Sequence, residues 1–401
     1  MEFWKDPITT MFDSLLKSFT SGGMTDGLAT VLIYLIGILA FVSFAMVLDI
    51  FLVWVERKVV ARFQDRLGPN RVGPFGIFQP FADIVKLLIK EDITPIGADV
   101  VLFNLAPIFS LMSVLLLWAI LPFAPNMVGV DLNVGMLYLV AAGSIGTLSV
   151  IMAGWSSNNK YALMGAFRTV AQMVSYEIPM VAAILVVTVL AGSMGAVGIV
   201  DAQEAVPFII LSPLAFLIFL ISAIAELGRS PFDLNEAESE IVAGFHTEYT
   251  GMKFGLFYAG ELLHSFTFGG FMALLFFGGH RLFGVENWFW GSPIWGAIIF
   301  MGKALFFYWV IMWVKYTVPR IRIDHMLAFN WKFLTPLAFI LLMVTALVGR
   351  IFLNSPWLAP ALFTSNILLA WLTIGYLKSH ARKEREQAEA SAKSTAPAIQ
   401  N

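Results

Sequence analysis

The sequence predicts an all-α, polytopic integral membrane protein, and three observations carry that prediction. Of its 401 residues, 59% are hydrophobic and 13% charged, far from a soluble globular composition. Apolar runs long enough to cross about 30 Å of hydrocarbon recur along the chain. Lys and Arg gather in alternate connections between those runs, as the positive-inside bias requires of a multi-span protein.

The runs fall at residues 28–55, 99–122, 134–155, 168–191, 207–226, 254–279, 293–314, 332–349 and 357–378. Nine transmembrane helices are therefore expected. With the N-terminus placed outside, the outer connections hold four basic residues (Lys5, Lys17, Arg281, Arg350) and the inner ones twenty, with Lys303 left inside the seventh run. The split orients the N-terminus outside and the C-terminus in the cytoplasm. The first run starts after residue 27 and is too long for the core of a cleavable signal, so it is expected to remain as a span. Residues 1–27 then form an outer, periplasmic-side segment. Residues 28–378 form one helical domain whose cytoplasmic loops 56–98 and 227–253 are functional, and the Ala/Ser-rich residues 379–401 form a polar, solvated tail.

The first inner connection opens with Gly68-Pro69, Gly73-Pro74 and Gly76, turns that cannot continue a helix. The following stretch IFQPFADIVKLLIKE sets Gln79, Asp83, Lys86 and Lys90 on one helical face and Phe81, Ile84, Val85 and Leu88 on another. That is the pattern of an amphipathic helix lying in the interface plane. Two readings stand: a surface connector, or the wall of an opening through which a lipid-soluble molecule passes in from the bilayer.

Ionisable groups inside spans cost about 2.5–3.5 kcal/mol each on insertion scales and usually line a pathway or wet cavity. This chain has Asp49 in the first run, Glu177 in the fourth just before Pro179, Glu226 ending the fifth, Glu261 with His264 in the sixth, and Lys303 in the seventh. Either each is neutralised locally or together they form one buried polar file. The number of such residues favours the file. Glu261 and His264 share a helix face, as do Asp49 and Glu56.

The third inner connection, ELGRSPFDLNEAESEIVAGFHTE, opposes the basic trend, with Glu226, Asp233, Glu236, Glu238, Glu240 and Glu248 against Arg229. Asp233 and Glu236 fit a capping box at the start of a helix. Capping leaves Glu238, Glu240 and Glu248 over. The surplus suits proton capture, pairing with a basic partner, or a response to the charge of a ligand. Arg62, Arg66, Arg71, Arg168, Arg229, Arg320 and Arg322 lie on the same side, to pair with these acids or to face a polar ligand headgroup.

There is no cysteine, which excludes Cys-ligated iron–sulfur clusters and disulfides. His264 alone among five histidines sits well inside a run, so a membrane haem lacks its second His ligand. No Gly-rich phosphate loop sits in a strand–turn–helix setting. Any electron transfer this protein serves is expected to run through other chains. The internal repeat that marks many transporters is also missing.

Four segments carry a resemblance: ERKVVARFQDRLGPNRVGPFGIFQPFADIVKLLIKE (56–91), GWSSNNKYALMGAFRTVAQMVSYEIP (154–179), AELGRSPFDLNEAESEIVAGFHTEY (225–249) and YTVPRIRIDHMLAFNWKFLTPL (316–337). In order and spacing they closely resemble the H subunits of bacterial proton-translocating NADH:quinone oxidoreductase, respiratory complex I. The resemblance implies a multi-pass subunit of the inner (cytoplasmic) membrane at the heel of the membrane arm, beneath the peripheral arm that carries flavin and iron–sulfur clusters. Its partners would be the peripheral quinone-site and iron–sulfur subunits, the adjacent small membrane subunits and membrane lipid, with no nucleic acid. Quinone, ubiquinone or menaquinone, would be the substrate, and no flavin, haem, iron–sulfur cluster or metal would be bound by this chain. Catalytic redox groups would lie on neighbouring subunits.

By the same resemblance, Glu56, Arg57, Arg66, Asp83, Glu91, Arg168 and Arg229 match quinone-chamber positions. Glu177, Glu226 and Glu261 match the polar path to the proton-pumping subunits, and Asp233, Glu236, Glu238, Glu240 and Glu248 the loop that responds to quinone reduction. Lys315 stands where several members have Arg, and Asp49 matches no family position. The alternatives are the equivalent subunit of a related complex with another electron donor, a stand-alone cation transporter, or a non-coupling anchor.

Overall fold

The computed structural model describes residues 7–21, 25–233, 241–282, 293–352 and 355–395, and among them it is all-helical, with one isolated bridge at Ala124–Met127 and no strand. Among the described residues eight helices are long and apolar enough to cross a membrane, so this is a multi-pass membrane protein. They coincide with eight of the nine expected runs. The helices are α1 (Pro7–Ser21), α2 (Asp26–Phe63), α3 (Gln79–Ile89), α4 (Val100–Trp118), α5 (Gly135–Ser156), α6 (Lys160–Ala191) and α7 (Ala196–Ala202). They continue with α8 (Phe208–Leu211), α9 (Pro213–Glu226), α10 (Gly251–Phe277), α11 (Pro293–Thr317), α12 (Ile323–Phe329), α13 (Thr335–Ile351) and α14 (Leu358–Thr395).

The fifth run is not one helix. It breaks at Ser212 (φ −142, ψ 70), because the ring of Pro213 disfavours helical geometry in the residue before it. A broken backbone among apolar helices leaves carbonyls that must be satisfied internally. Asn366 of α14 does this, its Nδ2 donating to the Leu211 carbonyl at 3.2 Å while its Oδ1 accepts from Ser212 Oγ at 3.1 Å. The helical path from α12 to α13 instead passes through a π-turn at Asn330–Leu334, just ahead of Pro336, which has no N–H to give. Asn330 Nδ2 donates there to the Ser175 carbonyl of α6 at 2.6 Å.

Two terminal segments carry more structure than the sequence suggests. Residues 7–21 form α1, whose Phe12 ring lies 5.7 Å from that of Tyr34 on α2. Helix α14 runs on to Thr395, through most of the segment expected as a plain polar tail.

Helix α10 is the buried centre of the bundle, with Leu262, Leu263 and the stretch from Ser265 to Phe276 withdrawn from the surface. Small residues let neighbours approach it closely. A Cβ on Gly269 would sit 2.6 Å from the Ala304 carbonyl and 3.1 Å from the Tyr308 nitrogen of α11. Because backbone cannot yield as a side chain can, Gly269→Ala is expected to cost about 1–3 kcal/mol. A lowered thermal midpoint of the purified complex checks this, with Gly302→Ala, where a Cβ meets open space, as the control.

Candidate functional site

Where α2 ends, α9 gives way to its loop and α11 ends, four charged side chains meet. Glu56 of α2 is buried, and its Oε1 accepts from Lys315 Nζ at 2.8 Å and from the Tyr316 hydroxyl at 2.5 Å. Arg229 Nη1 lies 3.0 Å from Glu261 Oε1 and 3.9 Å from Glu56 Oε1. Two carboxylates thus face two cations. Burial disfavours the Arg229 charge, but Glu261 and Glu56 outweigh burial and hold its pKa above the usual guanidinium value. One atom is left over: Glu56 Oε2 is buried with no hydrogen-bond partner among the described residues.

The backbone around Arg229 explains how it is held. Gly228 takes a left-handed turn (φ 61) straight after α9, and Gln172 Nε2 of α6 donates to the Ala225 carbonyl at 2.6 Å and the Phe232 carbonyl at 2.8 Å, bracketing that turn. Ser230 Oγ donates to the Val318 carbonyl at 3.0 Å, and Ile321 N to the Pro231 carbonyl at 3.0 Å. The loop is tied to α6 on one side and to the α11–α12 connection on the other. Arg229, expected to pair with the loop acids or to face a polar ligand headgroup, is paired among the described residues with carboxylates of two long helices.

Beside the cluster lies a cavity of about 90 Å³ bordered by Glu226, Glu261, His246, His264, Tyr258 and Thr169 among others. Glu226 is buried, and its Oε2 has no hydrogen-bond partner among the described residues; Glu177, half-buried on α6, acts on it electrostatically. His264 Nε2 is likewise buried and unpartnered. The loop residue His246 is held below the usual imidazole value by burial, against the opposing pull of Asp233, and its neutral form is favoured. Burial pushes the Tyr249 hydroxyl up to about 12, so it too stays neutral.

A second pair joins α3 to α2, with Arg57 Nη1 2.6 Å from Asp83 Oδ2. Asp83 thus turns toward α2, while Lys86 and Lys90 of the same polar face and Phe81, Val85 and Leu88 of the apolar face are exposed. The stretch after α3 is pinned to the start of α10, where Lys253 Nζ lies 2.9 Å from Asp92 Oδ2 and Thr250 Oγ1 donates to the Glu91 carbonyl at 3.3 Å.

The remaining expected residues are dispersed. Arg66 is exposed and donates to Gln64 Oε1 at 2.7 Å, and the Glu91 side chain is exposed. Arg168 is half-buried on α6, and Asp233 is half-buried at the edge of the described chain. Glu248 accepts from Asn159 Nδ2 at 2.6 Å, while Asn159 Oδ1 caps α6 through Tyr161 N. Glu236, Glu238 and Glu240, with the rest of the expected capping box, lie outside the described residues. Among the described residues no group of three or more His, Asp or Glu side chains is placed to hold a metal ion.

Two intramembrane charges resolve differently. Lys303 Nζ donates to the carbonyls of Phe277, Gly279 and Arg281, closing the C-terminal end of α10, where a cation is favoured. Asp49 is buried with Oδ1 unpartnered, two turns from Glu56 on the same helix. Sequence reasoning missed Tyr316 and the pairing of Lys315, which the spacing of residues 259 positions apart does not reveal.

Fold and site together define a multi-pass membrane protein organised around buried, mutually compensating charges. The family model described as NADH dehydrogenase matches residues 36–346, and the chain belongs to that family. The H subunit of the NADH-quinone oxidoreductase of Dehalococcoides mccartyi (strain CBDB1) is 49% identical over 324 residues, covering 80% of this chain and 88% of the relative. The like-named protein of Geobacillus kaustophilus (strain HTA426) is 45% identical over 312 residues, covering 78% and 90%. That of Phocaeicola vulgatus (strain ATCC 8482) is 42% identical over 355 residues, covering 86% and 98%.

Proposed function

We propose that this chain is the quinone-chamber membrane subunit of a proton-translocating NADH:quinone oxidoreductase, and that it couples quinone reduction to proton movement through its buried carboxylates. The observation that carries this reading is the compensated cluster of Glu56, Arg229, Glu261 and Lys315, set against a cavity that also reaches Glu226. In a cluster of balanced charge, a change of charge nearby shifts which carboxylate the cations favour. A proton can then be taken up or released at the unpartnered oxygen of Glu226. In this reading Glu56, Arg57, Arg66, Asp83, Glu91, Arg168 and Arg229 belong to the chamber, and Glu177, Glu226, Asp233, Glu236, Glu238, Glu240, Glu248 and Glu261 to proton coupling.

Nine spans are proposed, the short α9 completing the eight long helices, with the N-terminus outside and the C-terminus in the cytoplasm. Residues 1–27 would face the periplasm, 28–378 form the membrane domain and 379–401 project into the cytoplasm from the inner membrane. Helix α3 would flank the opening by which ubiquinone or menaquinone leaves the bilayer, held there by Arg57–Asp83. Peripheral-arm subunits would supply the flavin and iron–sulfur clusters, with small membrane subunits alongside.

Glu56→Gln and Asp83→Asn in the intact complex test the chamber assignment. Both are expected to lower NADH oxidation by quinone about five- to a hundredfold, the equivalent of the roughly 1–3 kcal/mol lost with a charge-assisted pair, while NADH oxidation by an artificial acceptor at the flavin is unchanged. Asp83→Asn should act mainly by raising KM for a long-chain quinone. Unaltered quinone kinetics in both variants would contradict the assignment.

A further inference from the structure

At the C-terminal end of α2 a cradle of about 400 Å³ is lined by Trp54, Lys58, Val59, Arg62, Phe75 and Ile77. No carboxylate borders it. Lys58 and Arg62, one turn apart, make no side-chain hydrogen bond or ion pair with any described residue, although most cations near the site are matched. The wall opposite is fixed: Trp54 Nε1 donates to the Phe75 carbonyl at 3.2 Å, and Phe75 is held in the left-handed region (φ 55) and is 72% exposed.

The same face of α2 continues toward the middle of the span. Phe44, Val47 and Phe51 are 47%, 65% and 43% exposed, and at 100° per residue they fall with Trp54, Lys58 and Arg62 inside one narrow stripe. An apolar track therefore rises through a Trp, a residue favoured at the membrane–water boundary, to two uncompensated cations. We propose that this is a binding site for a single anionic phospholipid, its phosphate between Lys58 and Arg62 and an acyl chain along Phe51, Val47 and Phe44. An acidic protein segment would satisfy the cations but leave the track empty. A zwitterionic lipid would fill the track but bring its own cation to a site that already holds two. This site does not depend on the quinone reading, since it lies on the outward face of α2, while Glu56 points into the bundle.

The test uses the intact complex in two arms. Native mass spectrometry of complex purified in mild detergent should find one phosphatidylglycerol or cardiolipin fewer retained by the Lys58→Gln/Arg62→Gln double variant than by wild type, with retention weakened roughly tenfold or more. Lys86→Gln, an exposed cation on α3, should retain the wild-type number. Equal retention in the double variant, or loss of a partner subunit in place of a lipid, overturns the proposal. The second arm needs no variant: photoactivatable phosphatidylglycerol in the wild-type complex should label residues 54–77 well above photoactivatable phosphatidylcholine. Equal labelling by the two lipids also overturns it.

Discussion

Replacing Arg229 by Met is expected to cost about 3–5 kcal/mol, the price of breaking a buried ion pair by removing one partner. Arg229 is 5% exposed and is the cation shared by Glu56 and Glu261, carried on helices that otherwise have no charged link. Without it Lys315 still compensates Glu56, but among the described residues no cation reaches Glu261. Little purified complex should assemble, and what does assemble should melt well below wild type. Arg229→Lys should fall between the two, because a compact ammonium reaches one carboxylate where a guanidinium spans both. A wild-type melting point for Arg229→Met would show that the cluster is not holding these helices.

Glu226→Gln is expected to behave in the opposite way, sparing stability and removing function. Among the described residues its Oε2 has no partner to lose, and the amide is nearly isosteric with the carboxyl, so the fold should be kept. What disappears is a group that can accept and release a proton beside the cavity. If protons pass there, NADH oxidation by quinone should drop at least about tenfold, at the low end of what positioned acid–base groups contribute. Oxidation by a flavin-site acceptor should stay at the wild-type rate.

Much of this architecture is legible in the chain because hydrocarbon imposes a length on every crossing segment and a cost on every charge within it. That is why the long spans, Asp49, Glu177, Glu226 and Glu261 stand out without any structure, while Glu56, just past the first run, enters only through its spacing from Asp49 and the resemblance. The break at Ser212 was also signalled, by Pro213, but a continuous apolar run hid it. The partners of the charges were not legible. Lys315 and Tyr316 meet Glu56 only because the ends of α2 and α11 converge, and Lys303 serves a helix terminus 22–26 residues earlier. Nor does periodicity tell that Asn366 repairs the broken backbone at Leu211. Such matches arise from packing between distant helices, and one sequence carries no record of them.

The claim that this chain couples quinone chemistry to proton movement is tested most directly in proteoliposomes containing the reconstituted complex with Glu226→Gln. Proton translocation and NADH oxidation by quinone are followed together, with NADH oxidation by an artificial acceptor as the reference. The account predicts that both proton translocation and quinone-linked oxidation fall while the reference reaction is unchanged. Wild-type proton translocation at the wild-type quinone rate would contradict it.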